Sequence, residues 1–183
     1  MSLSFGRVTP EDIQHVLNGL WTRGEKEAVK AGFTSREQLM AYLLSVSGEY
    51  GYTMRTDDEP VAVFGATMSE GKYFTWFVAT ERFSEIGKQA TRFLKGFIKE
   101  RVAGRPDAHL EMISAVEHPE AEKWFNLLGF FKYPEVKQGI FTRYVYDQSR
   151  LTKGAQYGNI RKADSGIRHV DHSRSEVSHV PKP

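Results

Sequence analysis

Glu122–Tyr133 reads EKWFNLLGFFKY and follows the helix start His118-Pro119. Proline suits the first turn of a helix, where its missing N–H leaves no bond unmade. Gly129 permits the backbone geometry that ends such a helix, and Phe130 and Phe131 then seal a buried strand. The stretch therefore predicts a short helix over Pro119–Leu128 running without a linker into a strand over Phe130–Tyr133.

Working backwards, His109–Val116 is an apolar strand, and Gly104-Arg105-Pro106 ends the clearest helix of the chain, Ile86–Val102. On that helix Ile86, Ala90, Phe93, Leu94, Phe97, Ile98 and Val102 share one face, with Lys88, Arg92, Lys95 and Lys99 largely on another. Tyr50–Thr56, Val61–Met68 and Tyr73–Thr80 are rich in β-formers. The short turns Asp57-Asp58-Glu59-Pro60 and Ser69-Glu70-Gly71-Lys72 make them an antiparallel meander.

Nearer the start, Ser4–Val8 reads as a strand and Thr9-Pro10-Glu11-Asp12 as a helix cap. Ile13, Val16, Leu17, Leu20 and Trp21 form a buried stripe, with a break expected at Gly24 before Glu25–Lys30. Thr34 with Glu37 reads as a capping box, opening a helix whose inner face is Leu39, Tyr42, Leu43 and Val46. Ile140–Tyr146 is a closing strand. The order β-α-α-β-β-β-α-β-α-β-β gives an α/β (α+β) fold with a mixed, mainly antiparallel sheet flanked by helices.

Composition is that of an ordinary globular chain, with 40% hydrophobic and 26% charged residues among 183. The absence of cysteine excludes disulfides and thiolate metal sites and suits a reducing compartment. No apolar run reaches membrane-spanning length, and MSLSFGRVTP lacks the apolar core of a signal peptide. Two segments are expected: a folded domain over 1–147 and an extended, basic, polar tail over 148–183. From Arg150 onward seven Lys/Arg face three acids, a composition that predicts disorder in isolation.

The order of elements, with a long helix after the fourth strand and a short helix ending in Gly-Phe, resembles the Gcn5-related N-acetyltransferase (GNAT) fold over roughly residues 4–147. The resemblance implies acetyl-CoA, whose pyrophosphate lies at the start of the helix after the fourth strand, against Arg/Gln-x-x-Gly-x-Gly/Ala. Here that stretch is Ser84-Glu85-Ile86-Gly87-Lys88-Gln89. Ser84, Gly87, Lys88 and Gln89 are the candidate cofactor residues, but Ser84 replaces Arg/Gln, Gln89 replaces the last small residue, and Glu85 adds an acid.

The family's carboxylate on or near the fourth strand has no counterpart in Tyr73–Val78. The tyrosine expected five residues before the Phe of Gly-Phe is Phe125, which has no hydroxyl to move a proton. Glu117 and Tyr133 are the remaining catalytic candidates, with Glu117 also a cap for the Pro119 helix.

A narrower likeness joins Trp76-Phe77-Val78, Gly87-Lys88 and the basic-aromatic helix that follows. These resemble the GNAT-like internal virion protein of short-tailed, autographivirus-type phages. That likeness implies a structural or accessory virion protein without cofactor or catalysis, resident in the virion and, during assembly, in the host cytoplasm. Ile160, Ile167, Val170, Val177 and Val180 would anchor the tail on other virion proteins in an oligomeric assembly. The basic helix face and tail would lie near DNA without reading sequence. His169, His172, His179 and Asp171 have metal-ligand chemistry but nothing to fix them, so no metal is expected. The alternative reading is an acyl-CoA-dependent N-acetyltransferase with a divergent site.

Overall fold

The computed structural model describes residues 2–48, 50–102, 109–115, 119–138 and 141–150, with backbone only for 119 and 134–138. Glu117 and the proposed tail anchors lie outside these residues. The elements are β1 (Leu3–Arg7), α1 (Pro10–Asn18), α2 (Thr22–Lys30), α3 (Arg36–Val46), β2 (Gly51–Thr56), β3 (Glu59–Ser69), β4 (Lys72–Ala79), α4 (Phe83–Val102), β5 (Leu110–Ser114), α5 (Pro119–Leu128), β6 (Phe130–Gln138) and β7 (Phe141–Tyr146). Met1–Gln148 forms one compact unit.

Seven strands make one sheet in the order β1-β2-β3-β4-β5-β7-β6. β4 and β5 are parallel and every other neighbouring pair is antiparallel. The hairpin turns close on two residues each. Asp57 and Asp58 have φ of 51° and 66°, and Glu70 and Gly71 have 52° and 75°. Two successive left-handed residues are the primed turn geometry that matches strand twist. Glu59 and Pro60, expected in the first turn, instead open β3. The register slips between Met54 and Arg55, opposite Pro60, which has no N–H to give the ladder. Gly129, at φ 100°, ends α5 as its sequence requires.

Each face of the sheet carries its own core. On one side Ile13, Val16 and Leu17 of α1 and Leu39 and Leu43 of α3 pack on Val63, Trp76 and Val78. On the other, Ile86, Ala90 and Leu94 of α4 and Phe125 and Leu128 of α5 pack on Ala62, Phe64, Phe77 and Tyr144. Alternation along β3 and β4 sends neighbouring side chains to opposite cores.

The helical region differs from the sequence reading in three places. The break falls at 19–21, before Gly24, because Gly19 caps α1 and Leu20 pairs with Thr80 as a strand would. The cap of α3 is Ser35, whose hydroxyl accepts from the Gln38 amide at 3.2 Å, while the Gln38 side chain accepts from the Thr34 amide at 2.8 Å. Tyr42 is 44% exposed and leans on Phe33, outside the expected inner face.

Two buried carboxylates tie elements together. Asp12 Oδ2 accepts from the Thr9 amide (3.1 Å), the Thr53 hydroxyl (2.7 Å) and Arg55 (2.5 Å), so a capping box becomes a link from α1 to β2. Glu111, 2% exposed, is hydrogen-bonded by Arg143 and has His109 at 2.7 Å and Lys72 at 3.4 Å. Burial alone would push the Glu111 carboxyl up. The Arg143 hydrogen bond and charge, with Lys72 and His109, outweigh it and hold the group below the ordinary glutamate range.

Asp12→Ala removes a cap and strands Arg55, and is expected to cost about 3 kcal/mol in urea unfolding. Because the Glu111 pKa is lower folded than unfolded, its contribution is complete above the unfolded value of about 4.3 and is lost as pH falls through the folded value. Glu111→Gln should therefore destabilise at neutral pH and flatten the acid limb of the stability profile.

Candidate functional site

The parallel register of β4 and β5 runs only from Tyr73↔Leu110 to Thr75↔Met112, although β4 continues to Ala79 and β5 to Ser114. Beyond that point the strands part. The lane beside β4 is taken by the connection between α1 and α2: the Trp21 amide donates to Ala79 O at 2.9 Å, and Leu20 bridges Thr80. The parted strand ends form a fork at a topological switch point, where open α/β sheets place ligands.

α2 spans the fork. Its Thr22 amide and hydroxyl donate to Glu81 just past β4, at 3.0 and 2.9 Å. Its Glu27 carboxylate accepts from the Ser114 hydroxyl at 2.8 Å and from the Ala115 amide at 3.0 Å at the end of β5. Arg23 lies 3.6 Å from Glu120 of α5 and over the Trp21 ring. A carboxylate thus lies at the end of β5, although none occurs in β4. On the α1 and α3 side, the buried indole N–H of Trp76 has no acceptor among the described residues. Leaving such a donor unpaired costs about 1–3 kcal/mol, which a ligand carbonyl or a water would recover.

Beneath the fork, aromatic rings pack edge to face. Phe77 meets Phe83 (4.9 Å) and Trp124 (5.3 Å), and Phe125 meets Tyr144 (4.9 Å). Phe125 is where the family pattern places a tyrosine, and the ring packed on it brings a hydroxyl from β7. Burial, then the charges of Glu122 and Glu27, push the Tyr144 phenol above its ordinary range. A tyrosine is protonated at neutral pH without any such shift, so the hydroxyl can donate. The Trp124 indole donates to Thr91, whose hydroxyl donates to Gly87 O, so α5 is fastened to the start of α4.

Ser84, Gly87, Lys88 and Gln89 occupy the first two turns of α4, at the mouth of the fork. Their fit to a pyrophosphate is partial. The amides of Phe83, Ser84 and Glu85 already donate to Thr80, Glu81 and Arg82 carbonyls at 3.1, 3.3 and 3.0 Å. Arg82 is paired with Glu59 and with Glu85 (3.6 Å). Lys88 is exposed, and a side chain added at Gly87 would meet open space, so phosphate could approach there without displacing protein. Tyr133 lies elsewhere, on β6 two strands from β5, 44% exposed beneath the Arg143 guanidinium.

Glu27 and Tyr144 were not singled out in the sequence, because nothing local marks them. Each acquires its surroundings from elements far away in the chain. Among the described residues no cluster suited to a metal ion occurs and no helix is long and apolar enough to cross a membrane.

No family model matches the chain, and no curated protein does. Solved structures do. The chain is similar to an aminoglycoside acetyltransferase, AAC(6')-Ib, solved with coenzyme A (TM-score 0.59, 14% identity, 83% of this chain and 98% of that one). It is also similar to a spermidine N-acetyltransferase chimera from Vibrio cholerae and hSSAT (0.57, 11%, 82% and 98%). A third is an acetyltransferase of the GNAT family from Bacillus anthracis (0.57, 12%, 80% and 93%). None of these three is a virion protein. At such identities likeness extends to architecture alone, and the architecture of this chain is the GNAT fold.

Proposed function

We propose that the chain is an acyl-CoA-dependent N-acyltransferase acting on a cationic amine, in place of the virion docking role implied by Trp76-Phe77-Val78 and Gly87-Lys88. The observation that carries the proposal is the fork: parted parallel strands with a carboxylate, Glu27, on one side and a protonated phenol, Tyr144, beneath. Structures of the same fold solved with coenzyme A, including the aminoglycoside enzyme, support the donor class.

An acyl thioester supplies an activated carbonyl carbon. Lys88 and the α4 start would hold its phosphates, and the β4 edge beyond Thr75 would line its arm. Glu27 and Glu122, whose charges both reach Tyr144, would favour an ammonium group there, while Glu120 is offset by Arg23. Glu27 accepts the proton that the amine loses as nitrogen bonds to the acyl carbon. Tyr144 gives a proton to sulfur as the C–S bond breaks. Two protons leave the ammonium nitrogen in all, one to solvent before attack and one as the amide forms, and one proton arrives on sulfur, so the net release is a single proton. The closed aromatic floor keeps water from competing for the acyl group.

Titration calorimetry with acetyl-CoA tests the reading: micromolar binding supports it, and no binding at millimolar concentration overturns it. Lys88→Glu should weaken that binding about tenfold without changing thermal stability, as expected for loss of one exposed cation near phosphate. With a polyamine acceptor, Glu27→Gln should keep the contacts to Ser114 and Ala115 and lower kcat by about 100-fold or more. Tyr144→Phe should lower kcat and leave donor affinity unchanged. Turnover unaffected by both substitutions would remove these residues from the mechanism.

A further inference from the structure

Below the fork, between α4, α5 and the sheet, lies an apolar cavity of about 110 Å³. Phe64 and Phe77 of the sheet, Leu94 and Ile98 of α4, and Leu128 of α5 line it. It follows the paired stretch of β4 and β5, from Tyr73 and Leu110 up to Thr75 and Met112, the last pair before the strands part. Arg101 is the one charged residue among the described residues of its wall, and its guanidinium donates to the Tyr52 hydroxyl at 2.7 Å and lies over the Phe97 ring.

We infer that this cavity takes the hydrocarbon chain of the acyl donor, so that the preferred substrate carries a straight acyl group of about four to six carbons. The size follows by comparison with an engineered apolar cavity of about 150 Å³ that stays dry and holds benzene. An acetyl group leaves such a space unfilled. The wall is mostly apolar, with the Trp76 indole, Arg101 and the Tyr50, Tyr73 and Thr75 hydroxyls as its polar members, so a hydrocarbon chain gains more there than a polar acyl group that gives up its water. The position decides between an acyl chain and an unrelated apolar molecule: the upper end of the cavity abuts the point where the thioester arm would enter. The inference rests on the acyltransferase reading for the identity of the donor, and the two can fail separately.

Titration of the full chain with hexanoyl-CoA and acetyl-CoA reads the chain-length preference. Hexanoyl-CoA is expected to bind at least tenfold tighter, since each buried methylene favours binding. Equal affinity overturns the cavity's role and leaves the acyltransferase reading standing. Ile98→Phe, at a partly buried position, should bring the ratio toward one, and Leu94→Trp should do the same if it folds. If neither thioester binds, the donor reading fails, and hexanamide is the probe for the cavity itself. Methyl NMR shifts at Leu94, Ile98 and Leu128 with hexanamide, absent with acetamide, would retain an acyl-chain site. Their absence would eliminate it.

Discussion

The structure depends on how the outer edge of β4 is satisfied. A strand's peptide groups need partners along its whole length. β4 finds them in β5 as far as Thr75 and, past the fork, in the Leu20–Trp21 segment at Ala79 and Thr80. One edge is thus shared between two distant parts of the chain. β5 makes the matching exchange, giving its Ala115 amide to Glu27. The gap between the strands persists because both its ends are bonded to α2 and its approach. The same bonds hold a carboxylate at the β5 end of it.

Packing beneath the fork follows from this parting. Strands that diverge leave room on the α4 and α5 side, and Phe77, Phe83, Trp124, Phe125 and Tyr144 fill the upper part with rings in edge or tilted contact. Such pairs add about 0.5–1.5 kcal/mol each beyond the area they bury. Rings fix orientation but fill irregular space poorly, and the lower part, toward Ile98 and Leu110, remains a cavity. The Trp124–Thr91–Gly87 hydrogen bonds then couple this floor to the helix start, so the candidate phosphate end and the candidate proton donor are held by one set of contacts.

Charge is distributed to match. Below the fork, Glu111 gathers Arg143, Lys72 and His109 and locks β4, β5 and β7 in register. Above it, Glu27 and Glu122 act on the Tyr144 phenol, while Glu120 is offset by Arg23. At the α4 start, acids and bases nearly cancel, which makes Lys88 the exposed cation on which phosphate recognition would turn. A donor held weakly at its phosphates would gain correspondingly from contacts along its acyl arm.

Much of the architecture was legible in the residues. The Gly129 turn, the apolar stripe of Ile86–Val102 and the β-forming runs around Asp57-Asp58 and Glu70-Gly71 are local signals, and local chemistry settles them. The helix break at 19–21 was not legible, because Leu20 leaves the helix to pair with Thr80, a residue sixty positions away. The missing hydroxyl at Phe125 was visible in the sequence, but the hydroxyl of the Tyr144 ring that packs on it was not. Which ring packs on which depends on β7 lying beside β5, and Glu27 reaches the fork only because α2 crosses it. The sequence by itself determined the elements and their turns, through backbone preference and periodicity. Tertiary structure alone decided which edge each strand shares and which side chains meet at the fork, because hydrogen-bond and packing partners distant in sequence carry no local mark.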